Sequence, residues 1–219
     1  MDLLEIGAKI GLYFVPFLFA LCFHEFAHGW VALKKGDRTA LQMGRLSLNP
    51  AVHADMVGTY ILPLMVIITG APIFFGWAKP VPVNPRNLKN ETVDMFWIAL
   101  AGPLSNVLLA IVGAFGYVIF RYHLSHLSIA GGATALMFFF IRINLALAIF
   151  NMIPIHPLDG GKVLARFLPP GANRWMEENQ MMLNMALLVL FISGMLSILT
   201  TPIENGSKFL VDIAKMVLI

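Results

Sequence analysis

Hydrophobic positions in this chain fall into long runs rather than alternating with polar ones. Four apolar stretches, at roughly 6–33, 57–75, 94–120 and 133–153, are followed by a fifth at 181–200. Each approaches or exceeds the ~20 residues a helix needs to cross a hydrocarbon core. Polar interruptions at 36–55 and 76–91 are rich in Gly, Pro and Asn. Pro80, Pro82 and Pro85 forbid helix in the second and favour extended chain, and the alternation through Val81-Pro82-Val83 suits an edge strand. The tail from Ser207 to Ile219 sets Lys208, Asp212 and Lys215 among apolar residues at helical spacing, as in a surface-lying amphipathic helix or a partial span. The pattern predicts an all-α polytopic membrane protein with about four to five transmembrane helices and short extended or β loops.

Composition sharpens this picture. Of the 219 residues 58% are hydrophobic and 12% charged, with mean hydropathy +0.79. Soluble domains carry ~25% charged residues, so too little polar surface remains to cover a water-soluble globule. One cysteine, Cys22, excludes a disulfide framework and a thiolate-built metal site. A net charge of +3 is too small for a nucleic-acid binder. The length suits a single membrane-embedded domain over 1–219. The first stretch has no basic n-region and no small-residue cleavage site, and reads as a retained span. Lys34, Lys35, Arg38 and Arg45 follow it closely, so it is expected to run from outside to inside.

The chemistry concentrates in His24-Glu25-Phe26-Ala27-His28. On a helix, positions i and i+4 share a face, so both imidazoles project toward one ion. Glu25 is offset by about 100°, near enough to work on a water beside the metal without ligating it. Two packing histidines with a stray acid is the bland alternative, and inside a span those groups cost several kcal/mol without a partner. A catalytic zinc takes three protein ligands. Cys22 points to another face, and His53, His123, His126, His156 and the aspartates remain open for the third place. Asp159 stands out, in Asn151-Met-Ile-Pro-Ile-His-Pro-Leu-Asp-Gly-Gly161 at the end of an apolar stretch. Pro154 and Pro157 break the helix there, tolerable at membrane depth only where backbone is buried or lines a cavity. Gly160 and Gly161 permit a sharp turn that aims the carboxylate back at a neighbouring helix. A solvated Asp after a proline-terminated helix is the alternative for this loop taken alone.

Over about residues 10–170 the chain resembles the site-2 protease family of intramembrane zinc metalloproteases, in its short form without PDZ or CBS domains. The resemblance rests on HEFAHGW at 24–30, GRLSLNP at 44–50, FGWAKPVPVNP at 75–85, AGPLSN at 101–106 and NMIPIHPLDGG at 151–161. It implies one Zn2+ per chain held by His24, His28 and Asp159, and Glu25 as the catalytic acid/base. Residues 171–219 then form an additional span and the amphipathic tail. The family usually has Asp-Pro where this chain has Asp55-Met56, and an apolar residue or Pro at the position of His156; neither departure is at a ligand.

The expected chemistry is hydrolysis of peptide bonds in or near transmembrane segments of membrane-protein substrates. Zinc acidifies a water and polarises the carbonyl, and Glu25 takes the water's proton and returns it to the leaving amine. His53, Asn106 and Asn151 are candidates for stabilising the oxyanion or binding substrate. Gly102, Ser105 and Asn106 equally suit helix packing in a membrane. GRLSLNP and FGWAKPVP could offer an edge to an unwound substrate, or serve only as interfacial loops. Two other classes of function compete: a metal transporter, which should show repeated helices with ligands along a path, and a catalytically inactive relative acting as a binding module. The expected partners are the bilayer and a transmembrane protein or peptide, with no organic cofactor and no nucleic acid.

Two further expectations concern burial and topology. Arg142, mid-stretch, should face the bundle or a water-filled cavity, since an arginine at mid-span costs at least ~2.5 kcal/mol; the sequence identifies no partner. His24 lies ~15 Å in from the cytoplasmic end of its helix. For Asp159 to reach the same ion, the stretch at 133–153 must also run inward, so an odd number of crossings must separate Lys34 from Ala133. Basic residues flank 57–75 on both sides, and it contains Pro63, Gly70 and Pro72. It is therefore expected to dip in and return, leaving four full crossings at 6–33, 94–120, 133–153 and 181–200. The active site then lies toward the cytoplasmic side of a cell-membrane protein.

Overall fold

The computed structural model describes residues 2–70 and 76–219. Eight helical elements position the site: α1 (Leu3–Lys34), α2 (Met56–Thr69), α3 (Glu91–His123), α4 (Ala130–Asn151), α5 (Asp159–Ala165), α6 (Pro170–Glu178), α7 (Gln180–Ile192) and α8 (Met195–Leu218). The first, third and fourth are each long and apolar enough to cross a membrane alone. In α1 a π turn at Ile10–Phe14 precedes Pro16, which has no N–H to continue the regular ladder. The same pairing recurs in α2, a π turn at Met56–Ile61 followed by Pro63.

The helices meet through small residues. Ala110, Ala114 and Val118 of α3 pack on Ile141 and Leu145 of α4 and on Ala214 of α8. A Cβ on Gly113 would come within 2.9 Å of the Phe140 ring, so a bare backbone there lets α4 approach. The start of α3 is tied to the end of α1. Asn90 caps α3 by accepting the Val93 N–H, Asp94 accepts the Asn90 N–H, and Lys35 reaches Asp94 at 3.1 Å.

The expected crossing at 181–200 is a broken apolar segment rather than one continuous helix. Gly194, in the left-handed region at φ 74°, ends the run after Ile192, and α7 and α8 diverge by 77° across that break. Only together do they pass as a candidate span, giving three spans, or up to four, among the described residues. The tail lies along α3 and α4 rather than apart from the bundle, with Ser207 and Ala214 buried two turns apart. Arg142 finds a partner there: its guanidinium is 3.4 Å from Glu204 of α8 and lies over the Phe138 ring. The edge strand expected at 81–83 is corrected, since no strand forms among the described residues. Pro80 and Pro82 have no N–H, and that of Val81 is taken by a side chain, so no ladder can start.

Met56–Thr69 is too short to cross unaided and ends at Gly70 with φ 69°. The remainder of the expected 57–75 dip, including Pro72, lies outside the described residues. The loops on either side of α2 meet at Asp37. This fully buried carboxylate accepts from the Thr39 N–H and hydroxyl, the Asn84 N–H at 2.8 Å and Asn87 Nδ2 at 2.7 Å. Burial alone would raise its pKa, but these donors together hold it below the ordinary value. A lowered folded-state pKa means stability that is complete above the unfolded value of ~3.9 and lost as pH falls through the folded one. Asp37→Asn is therefore expected to cost about 1–3 kcal/mol near neutral pH. Its deficit against wild type should shrink as thermal unfolding in detergent is followed below about pH 4.

Candidate metal centre

His24 and His28 sit one turn apart on the buried face of α1, and Asp159 is the first residue of α5. Their Nε2, Nε2 and Oδ2 atoms converge: 3.0 Å between the imidazoles, 3.0 Å from His24 to Asp159 and 3.2 Å from His28 to Asp159. The outer hydrogen bonds decide what these atoms are. His28 Nδ1 lies 2.6 Å from the Ile98 carbonyl, which can only accept, so Nδ1 carries the proton. Asn106 donates through Nδ2 to the Ala20 carbonyl and to Asn144 Oδ1, so the atom it turns to His24 Nδ1, at 2.7 Å, is its acceptor oxygen. Both Nε2 atoms therefore present lone pairs. The third atom, Asp159 Oδ2, is buried with no hydrogen-bond donor.

Three lone-pair atoms crowded at ~3 Å repel one another unless a cation lies between them. Two nitrogens and one oxygen at such separations are the donor set and spread of a catalytic zinc site. The residues fit the metal.

The sequence builds this geometry at small residues. A Cβ on Gly102 would stand 2.4 Å from His28 Nε2 and 2.6 Å from His24 Cε1, so α3 can pass the imidazoles only as glycine. Gly160 and Gly161 act similarly, and not as a left-handed turn, because neither has positive φ. A Cβ on Gly160 would meet the Met152 carbonyl oxygen at 2.4 Å, and one on Gly161 the His156 nitrogen at 2.8 Å. The start of α5 thus lies directly on the turn that follows α4.

Glu25 is buried outside the ligand set, its Oε2 accepting the Val81 N–H at 2.7 Å. It lines a cavity of about 930 Å³ with the three ligand residues. Gly76, Trp77, Ala78, Pro80, Val81 and Val83 share the wall with Asn151, His156, Lys162, parts of α3 and α4 and one face of α7. Asn106 is fully buried behind His24 with both amide hydrogens committed, while Asn151, which lines the cavity, donates to the Leu147 carbonyl. His53 lies away from the wall; its Nε2 is 2.7 Å from the Ser47 carbonyl and its own carbonyl accepts from Lys79. Cys22 is buried outside the ligand set, and His123 and His126 are exposed. His156 Nε2 is buried without a partner, and burial first, then Lys162, lowers its pKa. Asp55 caps α2 through the Val57 and Gly58 N–H groups, so Met56 replaces the usual Pro without loss of the cap. Sequence reasoning missed three contributors: the Ile98 carbonyl, the Val81 N–H and the clearance at Gly102. Two are backbone atoms with no sequence signal.

Asn106 fixes both the tautomer and the rotation of His24. Asn106→Ala is expected to weaken zinc binding about 10–100-fold, as measured by chelator competition, with little change in helix content.

The pattern of peptidase family M50 matches residues 12–130 and 118–194. YwhC of Bacillus subtilis, assigned by name as a zinc metalloprotease, is 35% identical over 197 residues, 89% of this chain and 86% of that protein. MJ0611 of Methanocaldococcus jannaschii, similarly named, is 51% identical over 148 residues, covering 65% and 63% of the two chains. Rip2 of Mycolicibacterium smegmatis, also so named, is 28% identical over 72% of this chain and 57% of its own length. No solved structure gives a significant match. With the M50 pattern spanning most of its length and YwhC aligned almost end to end, the chain belongs to the site-2 protease family, peptidase family M50, and is a zinc-dependent metalloendopeptidase.

Proposed function

We propose that this protein hydrolyses peptide bonds in or near transmembrane segments of membrane-protein substrates, with one zinc held by His24, His28 and Asp159. The observation that carries the reading is the convergence of three lone-pair ligand atoms beside the Glu25 carboxylate, in a cavity walled by apolar helices. When bound, the ion supplies Lewis acidity, which acidifies a water and polarises the scissile carbonyl. Glu25 holds the proton between steps: its carboxylate accepts it from the attacking water and delivers it to the leaving amine. The Val81 N–H fixes one Glu25 oxygen, leaving the other for the water. Asn106 and the Ile98 carbonyl keep both imidazoles in the ligand tautomer. The mostly apolar wall limits competing water and suits a hydrophobic segment drawn into extended form. Asn151, which lines the cavity, is our candidate for contacting substrate.

The reading includes topology: a multi-pass cell-membrane protein with the site toward the cytoplasmic side and α2 dipping in and returning. Asp37 supports it by binding Asn84 and Asn87 across the base of α2, which draws both flanks of that helix together. The test is impermeant-thiol labelling of a Cys-free protein carrying single cysteines at 38 and 87. Both should label from one face, and labelling from opposite faces would sink the re-entrant arrangement. Function is tested by incubating purified protein with transmembrane peptides in vesicles. Peptide cleavage is expected; zinc flux without cleavage would select a transporter, and neither would select an inactive binding module.

A further inference from the structure

We propose that Arg45 is a positioning residue for the general base, an inference that rests on the role just given to Glu25. Arg45 is 9% exposed, and no carboxylate pairs with it among the described residues. Its Nε is buried without a hydrogen-bond partner. Such a group costs several kcal/mol to bury, so its retention calls for a specific use of its remaining donors. One of them is committed: Nη2 donates to the Lys79 carbonyl at 2.8 Å and lies 3.3 Å from that of Pro80. The next N–H along the chain is that of Val81, the donor to Glu25.

The local sequence makes this segment dependent on such a clamp. Pro80 and Pro82 lack N–H groups, so no strand ladder holds the backbone here, and Val81 supplies the lone donor between Lys79 and Val83. Two further attachments complete the clamp. The Lys79 N–H donates to the His53 carbonyl at 2.8 Å. The Val81 side chain packs against α1 at Gly29, one turn beyond Glu25 and on its face, where an added Cβ would meet Val81 and Leu46 at 3.2 Å each. Arg45 lies next to Leu46 in the same loop. The GRLSLNP and KPVPV segments thus act as one part: the first grips the carbonyls of the second so that a single amide is delivered to the base. A guanidinium suits the task because one of its nitrogens, Nη2, carries two N–H groups in a fixed plane and so reaches two successive carbonyls at once.

The experiment compares wild type, Arg45→Ala, Arg45→Lys and Arg45→Ala combined with Val81→Pro. Each is purified in detergent and followed by peptide cleavage, zinc content and amide exchange at Lys79, Val81 and Val83. Arg45→Ala is expected to lower kcat about 10²-fold with KM and zinc content near wild type, because a shift of about 1 Å in a catalytic group is enough for such a loss. Exchange at Val81 should quicken while the buried turns of α1 stay protected. Arg45→Lys should fall between the two, and Val81→Pro should cost little more on top of Arg45→Ala. Unchanged exchange at Val81, additive losses in the double variant, or release of zinc together with general loss of protection would each overturn the assignment. If wild type failed to cleave while Arg45→Ala still freed the Val81 amide, the positioning would stand and the functional reading would fail.

Discussion

Glu25→Gln is expected to abolish hydrolysis, by about 10³-fold or more, and to leave zinc occupancy at the wild-type level. The amide keeps the size of the carboxylate but cannot hold a proton in transit. The glutamate is absent from the group of atoms able to grip the ion, so its loss removes no ligand. Its contact with the Val81 N–H can be kept by the amide oxygen, so the fold near the site should persist. Cleavage of a transmembrane peptide alongside zinc analysis of the same preparation separates the outcomes. Loss of zinc with activity would place Glu25 among the ligands, and residual turnover near wild type would remove it as the base.

Nearly as large an effect is expected from one methyl group. Gly102→Ala would put a carbon 2.4–2.6 Å from atoms of both imidazoles, including His28 Nε2, the atom that faces the metal. Neither ring can swing away without breaking its bond to Asn106 or to the Ile98 carbonyl, at 2.7 and 2.6 Å. Zinc affinity should fall by at least about 10²-fold, with activity falling in step. Gly113→Ala, eleven residues along the same helix, provides the contrast. Its new carbon would press on the Phe140 ring and on Ile141, so it should lower thermal stability and leave zinc binding alone. Wild-type zinc affinity in Gly102→Ala would mean that α3 does not set the ligand geometry.

Much of this site was legible in the sequence because its parts are covalent neighbours with a period. The i, i+4 spacing of His24 and His28 forecasts one face of a helix, and that face is the buried one. Asp159 stands out by its proline-broken loop, but its place on the same ion came from the resemblance, since it lies 131 positions beyond His28 and no local pattern encodes that approach. Asn106 was legible as a polar residue in a span but not in its use: which atom it turns to His24 depends on Ala20 and Asn144, on two other helices. The same holds for Arg142, whose partner Glu204 lies 62 positions away on a helix the hydropathy pattern did not resolve. Gly194 explains that miss. A single glycine inside an apolar run reads as continuous hydropathy, yet it turns one expected crossing into two helices 77° apart. At 81–83 the alternation suggested a strand, but a strand needs a donor row that two prolines and the base removed.

Whether His24, His28 and Asp159 together hold one catalytic zinc is decided by counting zinc. The count is made per chain in purified wild type, His24→Ala, His28→Ala, Asp159→Ala and Glu25→Gln. One ion per chain is expected in wild type and in Glu25→Gln, with the other three near zero after mild chelation. Full occupancy in Asp159→Ala would contradict this, and His156, which lines the same cavity and has a buried, unpartnered Nε2, would then be the ligand to examine.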